Sequence, residues 1–178
     1  MRRGSYRLTP QAPPARSVDS ASMRVAFGSD HAGFSLKETL KAEILGRGHD
    51  VVDVGTWSTE ISVDYPHFGA AVGRAVAGGE ADLGVCVCGS GNGIAMAANK
   101  VPGVRAAVVH DVTTAGLARR HNHANVVCLG SRVTGASVAL DALIAFLSAP
   151  EEGGRHGERI AQLALLDREL VHNSEGTP

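Results

Sequence analysis

Five times between residues 24 and 149, a short continuous apolar run ends in turn residues and gives way to a longer segment of helical character. "RVAFGSD" leads into "GFSLKETLKAEILGRG", where Leu36, Leu40, Ile44 and Leu45 recur near helical spacing and glycine closes the segment. "HDVVDVG" then precedes "YPHFGAAVGRAVAGG", and "ADLGVCV" precedes "GIAMAANK". "RAAVVH" precedes "VTTAGLARRH", and "ANVVCLG" precedes "GASVALDALIAFLSA". Strands this short and uniformly apolar suit a parallel sheet covered on both faces, with right-handed crossovers between them. The alternation therefore predicts an α/β chain: a three-layer α/β/α, doubly wound, Rossmann-like five-stranded parallel sheet in a single domain. A last helix is expected to begin near "GGRHGERI".

Composition narrows the function classes. With 178 residues and 44% hydrophobic content, the chain can bury one real core. The domain is expected over residues 23–172, with a flexible tail over 173–178. Residues 1–22, "MRRGSYRLTPQAPPARSVDSAS", are rich in Arg, Pro and Ser and lack the apolar stretch of a signal peptide, so a disordered extension is expected there. Met23, directly before the first strand, leaves an alternative start site open. A formal net charge of -1 without a strongly basic run argues against nucleic-acid binding. No apolar run approaches the length of a bilayer span. Three cysteines without the spacing of a secreted scaffold point to reduced thiols and a cytoplasmic location.

In an open parallel sheet, ligands bind beyond the carboxyl ends of the strands. The loops there are rich in chemistry: Asp30 and His31 after the first strand, "CGSGNG" after the third, His110 and Asp111 after the fourth, and Arg132 after the fifth. Gly89, Gly91 and Gly93 let backbone approach a ligand closely, and the helix that follows offers free N–H groups, an arrangement suited to an anion. The order G-S-G-N-G departs from the dinucleotide fingerprint. Cys88 stands just before this helix, where a thiolate is favoured and a base or nucleophile can be built. Its plain alternative is a small buried hydrophobe, the reading adopted for Cys86 and Cys128. Cys86 and Cys88 share a strand face by period two, but no second cysteine pair supports a metal centre.

The second half of the chain carries basic groups. Arg155 and Arg159 stand four apart at the start of the last helix, where like charges repel and the helix dipole disfavours cations. A bound phosphate would reverse both effects, although a solvated face tolerates them. His121 and His123 raise the idea of a metal, without an acidic or thiol partner evident in the sequence.

Taken in order, "GSDHAGFSLK", "DVGTW", "DYPHFG", "CGSGNGIAMAANK", "GVRAAVVHD", "ARRHNHANVVCLGSR" and "GGRHGERI" resemble the type B ribose-5-phosphate isomerases and related sugar-phosphate isomerases, over about residues 24 to 170. The resemblance implies an aldose-ketose isomerase with no metal and no cofactor, acting on a phosphosugar. It also implies a homodimer or dimer of dimers whose sites lie at the subunit interface. By the same resemblance Cys88 is the base, and Ser90 with the amides around Gly89, Gly91, Asn92 and Gly93 holds the enediolate. His121 opens the sugar ring with help from Asp30, and Arg155 and Arg159 take the phosphate with His31 and Arg132. Tyr65 and Asn122 are sugar-hydroxyl contacts in this scheme. Outside it, His121 reads equally as a helix-terminal histidine and Tyr65 as a packing residue. Asn99 and Lys100 read as a helix-ending signal. Three functions are therefore weighed: the pentose-phosphate isomerase, the same chemistry on a four- or six-carbon phosphosugar, and a non-catalytic phosphosugar- or nucleotide-binding domain.

Overall fold

The apolar runs form five parallel strands: β1 (Arg24–Ser29), β2 (Asp50–Asp53), β3 (Leu83–Cys88), β4 (Ala106–Val108) and β5 (Val126–Gly130). The intervening segments are helices α1 (Phe34–Gly46), α2 (Tyr65–Ala77), α3 (Asn92–Ala98), α4 (Val112–Asn122) and α5 (Ala136–Ser148), and a further helix α6 spans Arg155–Glu175. These come from a computed structural model that describes residues 22–175. The expected extension, apart from Ser22, and residues 176–178 of the expected tail lie outside the described residues. α6 runs three residues further than the expected domain end would place it, to Glu175.

The sheet order is β2-β1-β3-β5-β4, all parallel. The chain goes one way from β1 to β2 and then crosses back to place β3 on the other side of β1, so the topological switch lies between β1 and β3. Alternate residues of the strands face two helical layers. On one face Val25, Phe27, Val85, Val87, Val127 and Leu129 pack with α1, α4 and α5, whose Leu36, Leu40, Ala115, Leu143 and Phe146 are buried. On the other, Ala26, Cys86, Cys88, Val126 and Cys128 pack with Val72 of α2 and Ile94 and Ala98 of α3. Central β3 and β5 are buried throughout, whereas the edge strands β2 and β4 are covered only partly. Each large apolar side chain buried in this way contributes about 1.5–3 kcal/mol.

Two departures from the periodicity reading occur in α1. Leu45, expected on the apolar stripe, is exposed, and Lys37 is fully buried instead. The ammonium of Lys37 is satisfied by Asp53 Oδ1 at 2.8 Å and by the carbonyls of Gly55 at 2.8 Å and Thr56 at 2.9 Å. It pins α1 to the loop after β2. Partial burial pushes the Asp53 carboxyl upward, but the bonds from Lys37 and Lys41 prevail and hold it below its ordinary value. A depressed carboxylate stabilises the fold above its unfolded-state value, so this contribution is complete above about pH 4 and is lost as pH falls through the lower folded-state value. Asp53→Ala leaves the buried Lys37 ammonium with only the partly exposed Glu38 carboxylate, 3.1 Å away, as counter-charge, and is expected to lower stability by up to about 3 kcal/mol. A urea-denaturation midpoint within error of the parent would refute this.

Candidate active site

The loops after β1, β3 and β5 meet at the carboxyl edge of the sheet. At the end of β1, Asp30 is 7% exposed, its amide bonds to Val87 O of β3, and its Oδ1 accepts the Gly33 N–H at 2.9 Å. Glycine at 33 is required by a close approach: a Cβ there would lie 2.3 Å from Val87 O. After β5, the Ser131 amide bonds to Cys88 O at 2.9 Å, and its hydroxyl donates to Ala32 O at 2.8 Å, which ties the three loops together. Sequence reading passed over Ser131, although it stands beside Arg132 in "GSR".

Cys88 closes β3 with 4% exposure, and its Sγ accepts the Gly91 N–H at 3.1 Å. That bond needs the chain to turn back at once, and Gly91 does so with φ 84°, a left-handed conformation that side-chain-bearing residues rarely adopt. The Asn92 amide donates to Ser90 Oγ at 3.3 Å as α3 begins. Ser90 and Asn92 are exposed and Gly89 and Gly93 half-buried, so the turn presents its outer side to solvent while the thiol lies beneath it. Arg132 lies alongside Gly89, its Cζ 3.5 Å from where a Cβ would stand. Tyr65 covers Gly93, where a Cβ would come 2.6 Å from its Cζ. His31 Nδ1 meets the Val63 N–H at 3.2 Å, which brings the loop after β2 alongside. Asp30, His31, Tyr65, Cys88 through Gly93 and Arg132 are therefore grouped around the switch point.

The other two thiols lie within the sheet. Cys86 and Cys128 are register partners on β3 and β5 and fully buried. Desolvation, and then the neighbouring Cys86, push the Cys128 thiol well above its ordinary value. Asn99 is structural as expected: its side-chain amide makes paired bonds with the Ala106 backbone, at 2.9 and 2.8 Å.

His121, Asn122, Arg155 and Arg159 lie elsewhere. α4 starts at the carboxyl edge, where the Asp111 side chain accepts the Thr114 N–H at 2.8 Å in a capping box. It runs back antiparallel to the strands and ends beside the start of β5. His121 and Asn122 thus sit at the amino edge, separated from the Cys88 loop by the length of β5, about 16 Å for five residues. Here the His121 ring stacks on His156, with centroids 4.2 Å apart and planes 9° apart. His121, Asn122, His156 and Arg159 line a groove of about 490 Å³ with Ile160, Leu163 and Leu166 of α6. Loss of hydration first, then His121 and Arg155, lower the His156 value.

The expectation that His121 lacks an acidic neighbour is corrected by Glu152, whose Oε2 lies 3.5 Å from His121 Nε2. Glu152 and His156 were missed as members of this cluster. The signal available was His156 between two arginines in "GGRHGERI". One chain therefore holds two polar clusters at opposite edges: a thiol in a glycine turn, and a histidine-arginine groove.

Known proteins are similar to this chain in sequence and fold. The family model described as Ribose/Galactose Isomerase matches residues 25–163. Ribose-5-phosphate isomerase B of Escherichia coli is 46% identical over 82% of this chain and 97% of its own length. A galactose-6-phosphate isomerase subunit of Clostridium acetobutylicum is 39% identical over 86% and 87% respectively. The crystal structure of ribose-5-phosphate isomerase B from Mycoplasma genitalium with bound ribulose-5-phosphate superposes with a TM-score of 0.80 at 40% identity, over 84% of this chain and 99% of that one. A family match across the whole sheet, with the thiol turn inside it, assigns the chain to the ribose/galactose isomerase family.

Proposed function

We propose that the chain interconverts D-ribose 5-phosphate and D-ribulose 5-phosphate, a step of the non-oxidative pentose phosphate pathway. The observation that carries this is the placement of the Cys88 thiol under the Gly91 amide at the switch point, in a chain related to an enzyme crystallised with ribulose-5-phosphate. Aldose-ketose conversion removes the C2 proton, passes through a cis-enediolate and returns a proton to C1, so it needs a base and donors aimed at the developing oxyanion. Cys88 is the base in this reading. The 89–93 turn and Ser90 hold the oxyanion, which requires the Gly91 and Asn92 amides to exchange their present partners, Cys88 Sγ and Ser90 Oγ, for the substrate oxygen, and Asp30 and Tyr65 contact the sugar hydroxyls. No electrons leave the substrate, so the reaction needs no redox cofactor.

The furanose ring must open first, a proton transfer assigned to His121, with Asn122 beside it. Arg155 and Arg159 with His31 and Arg132 neutralise the phosphate. About 16 Å of sheet separates His121 from Cys88 within a chain, so this reading requires that a second copy supply one cluster to the other, in a homodimer or a dimer of dimers. Exposed apolar side chains support the docking: Trp57 and Ile61, 71% and 67% exposed, in the loop after β2, Met96 on α3 and Val133 after β5, and Leu163, Leu165 and Leu166 on α6.

The same chemistry on another phosphosugar is the second reading, favoured by the relationship to a galactose-6-phosphate isomerase subunit. The deciding experiment is kcat/KM without added metal on ribose 5-phosphate, allose 6-phosphate, galactose 6-phosphate and erythrulose 4-phosphate. A clear preference for ribose 5-phosphate is expected. Preference for another member keeps the mechanism and moves the substrate, and no turnover of any would overturn the assignment.

A further inference from the structure

Beside His121, the groove at the amino edge holds two further donors, Glu152 and His156, that the proposed isomerisation leaves without a role. His121, Glu152 and His156 each present one ligand atom, and the three atoms lie within 4.8 Å of one another. Glu152 Oε2 is 3.5 Å from His121 Nε2 and 3.9 Å from His156 Nε2. Tetrahedral zinc with bonds of about 2.0–2.2 Å places its ligands about 3.4 Å apart, close to the spacing present, and the two rings, now stacked 9° from parallel, have to turn out of the stack for both nitrogen lone pairs to converge on one ion. The backbone around Glu152 is already tethered: its N–H donates to Arg120 O at 2.9 Å, and its carbonyl meets His123 Nε2 at 2.7 Å. Its exposed carboxylate remains free to move. Two imidazoles and one carboxylate suit zinc better than magnesium or calcium, and the open groove leaves a fourth position for water.

Nearby cations oppose any metal. Arg120 Nε lies 3.7 Å from Glu152 Oε1, and Arg155 and Arg159 flank His156 along α6. Such a site is therefore weaker than a structural zinc centre, suited to reversible occupation rather than permanent residence.

We propose that His121, Glu152 and His156 form a zinc-binding site whose occupation withdraws His121 from ring opening and inhibits the enzyme. The inhibitory half rests on the isomerase reading above; the binding half does not. Zinc chloride titrated into the purified full-length protein, against a chromophoric chelator, should show one zinc bound per chain, and turnover of ribose 5-phosphate should fall in parallel. His156→Ala and Glu152→Gln each remove a ligand. Loss of outer-sphere support alone weakens metal sites about 10–100-fold, so each variant should bind zinc at least about 100-fold more weakly and resist inhibition relative to its own rate in chelator.

Zinc affinity that persists in both variants overturns the site, as does thiolate-to-cobalt charge-transfer absorption on cobalt substitution, which would put the metal on Cys88. Zinc held by the triad at undiminished turnover overturns the inhibitory role. Absence of turnover in chelator refutes the isomerase reading alone, and the zinc titration still decides the site.

Discussion

Cys88→Ser is expected to reduce kcat by about 10²–10⁴-fold, the range associated with loss of a positioned general base, while KM changes little. The substitution is nearly isosteric and leaves the Gly91 N–H a partner, since an oxygen accepts the bond now made to Sγ at 3.1 Å. The turn, its left-handed glycine and the bonds to the loop after β5 have no reason to move. Proton affinity does change. A serine hydroxyl holds its proton far more tightly than a thiol does. Because Cys88 is 4% exposed and packed among Ile94, Val126 and Cys128, a general loss of fold must be separated from a loss of base. The urea midpoint of the variant should stay near that of the parent. Parent-like kcat would exclude Cys88 as the base, and a large rise in KM at constant kcat would make it a binding residue.

The sheet was legible because burial on both faces leaves little room for polar residues in β1, β3 and β5, where only Arg24 at the exposed start of β1 and Ser29 at its end interrupt the apolar and glycine run. The carboxyl-edge cluster was legible for a related reason: in a parallel sheet, chain order alone decides which loops share an edge. Two things were not. Lys37 reads as the polar neighbour of Leu36, and nothing local reveals that Asp53 and two carbonyls, 16 to 19 residues away, complete its shell. His121 was named with Cys88 through family resemblance, but their placement at opposite edges follows from the direction of α4 and from the left-handed turn at His123 that ends it, φ 47°. Glu152 was invisible for a similar reason, since its approach depends on how the segment after α5 folds back onto Arg120.

That separation makes the second large expectation unusual, because two dead proteins should produce a live one. His121→Ala, like Cys88→Ser, is expected to lose nearly all turnover of ribose 5-phosphate, although the two substitutions lie about 16 Å apart along the sheet. If each site takes Cys88 from one chain and His121 from another, a mixed dimer of the two variants has one site with both groups intact and one with neither. Random reassortment makes half of the dimers mixed, so about a quarter of all sites, and about a quarter of parental activity, should return. Denaturing and refolding the variants together, then assaying ribose 5-phosphate, reads this directly against the same variants refolded separately. Recovery requires subunit exchange, so mixed dimers should first be shown by separating differently tagged chains. Confirmed mixed dimers with no recovered activity would mean that both groups serve one site within a chain, or that His121 has no part in catalysis. An active His121→Ala protein alone would select the latter, and would return His121 to the role of a helix-terminal histidine stacked on its neighbour.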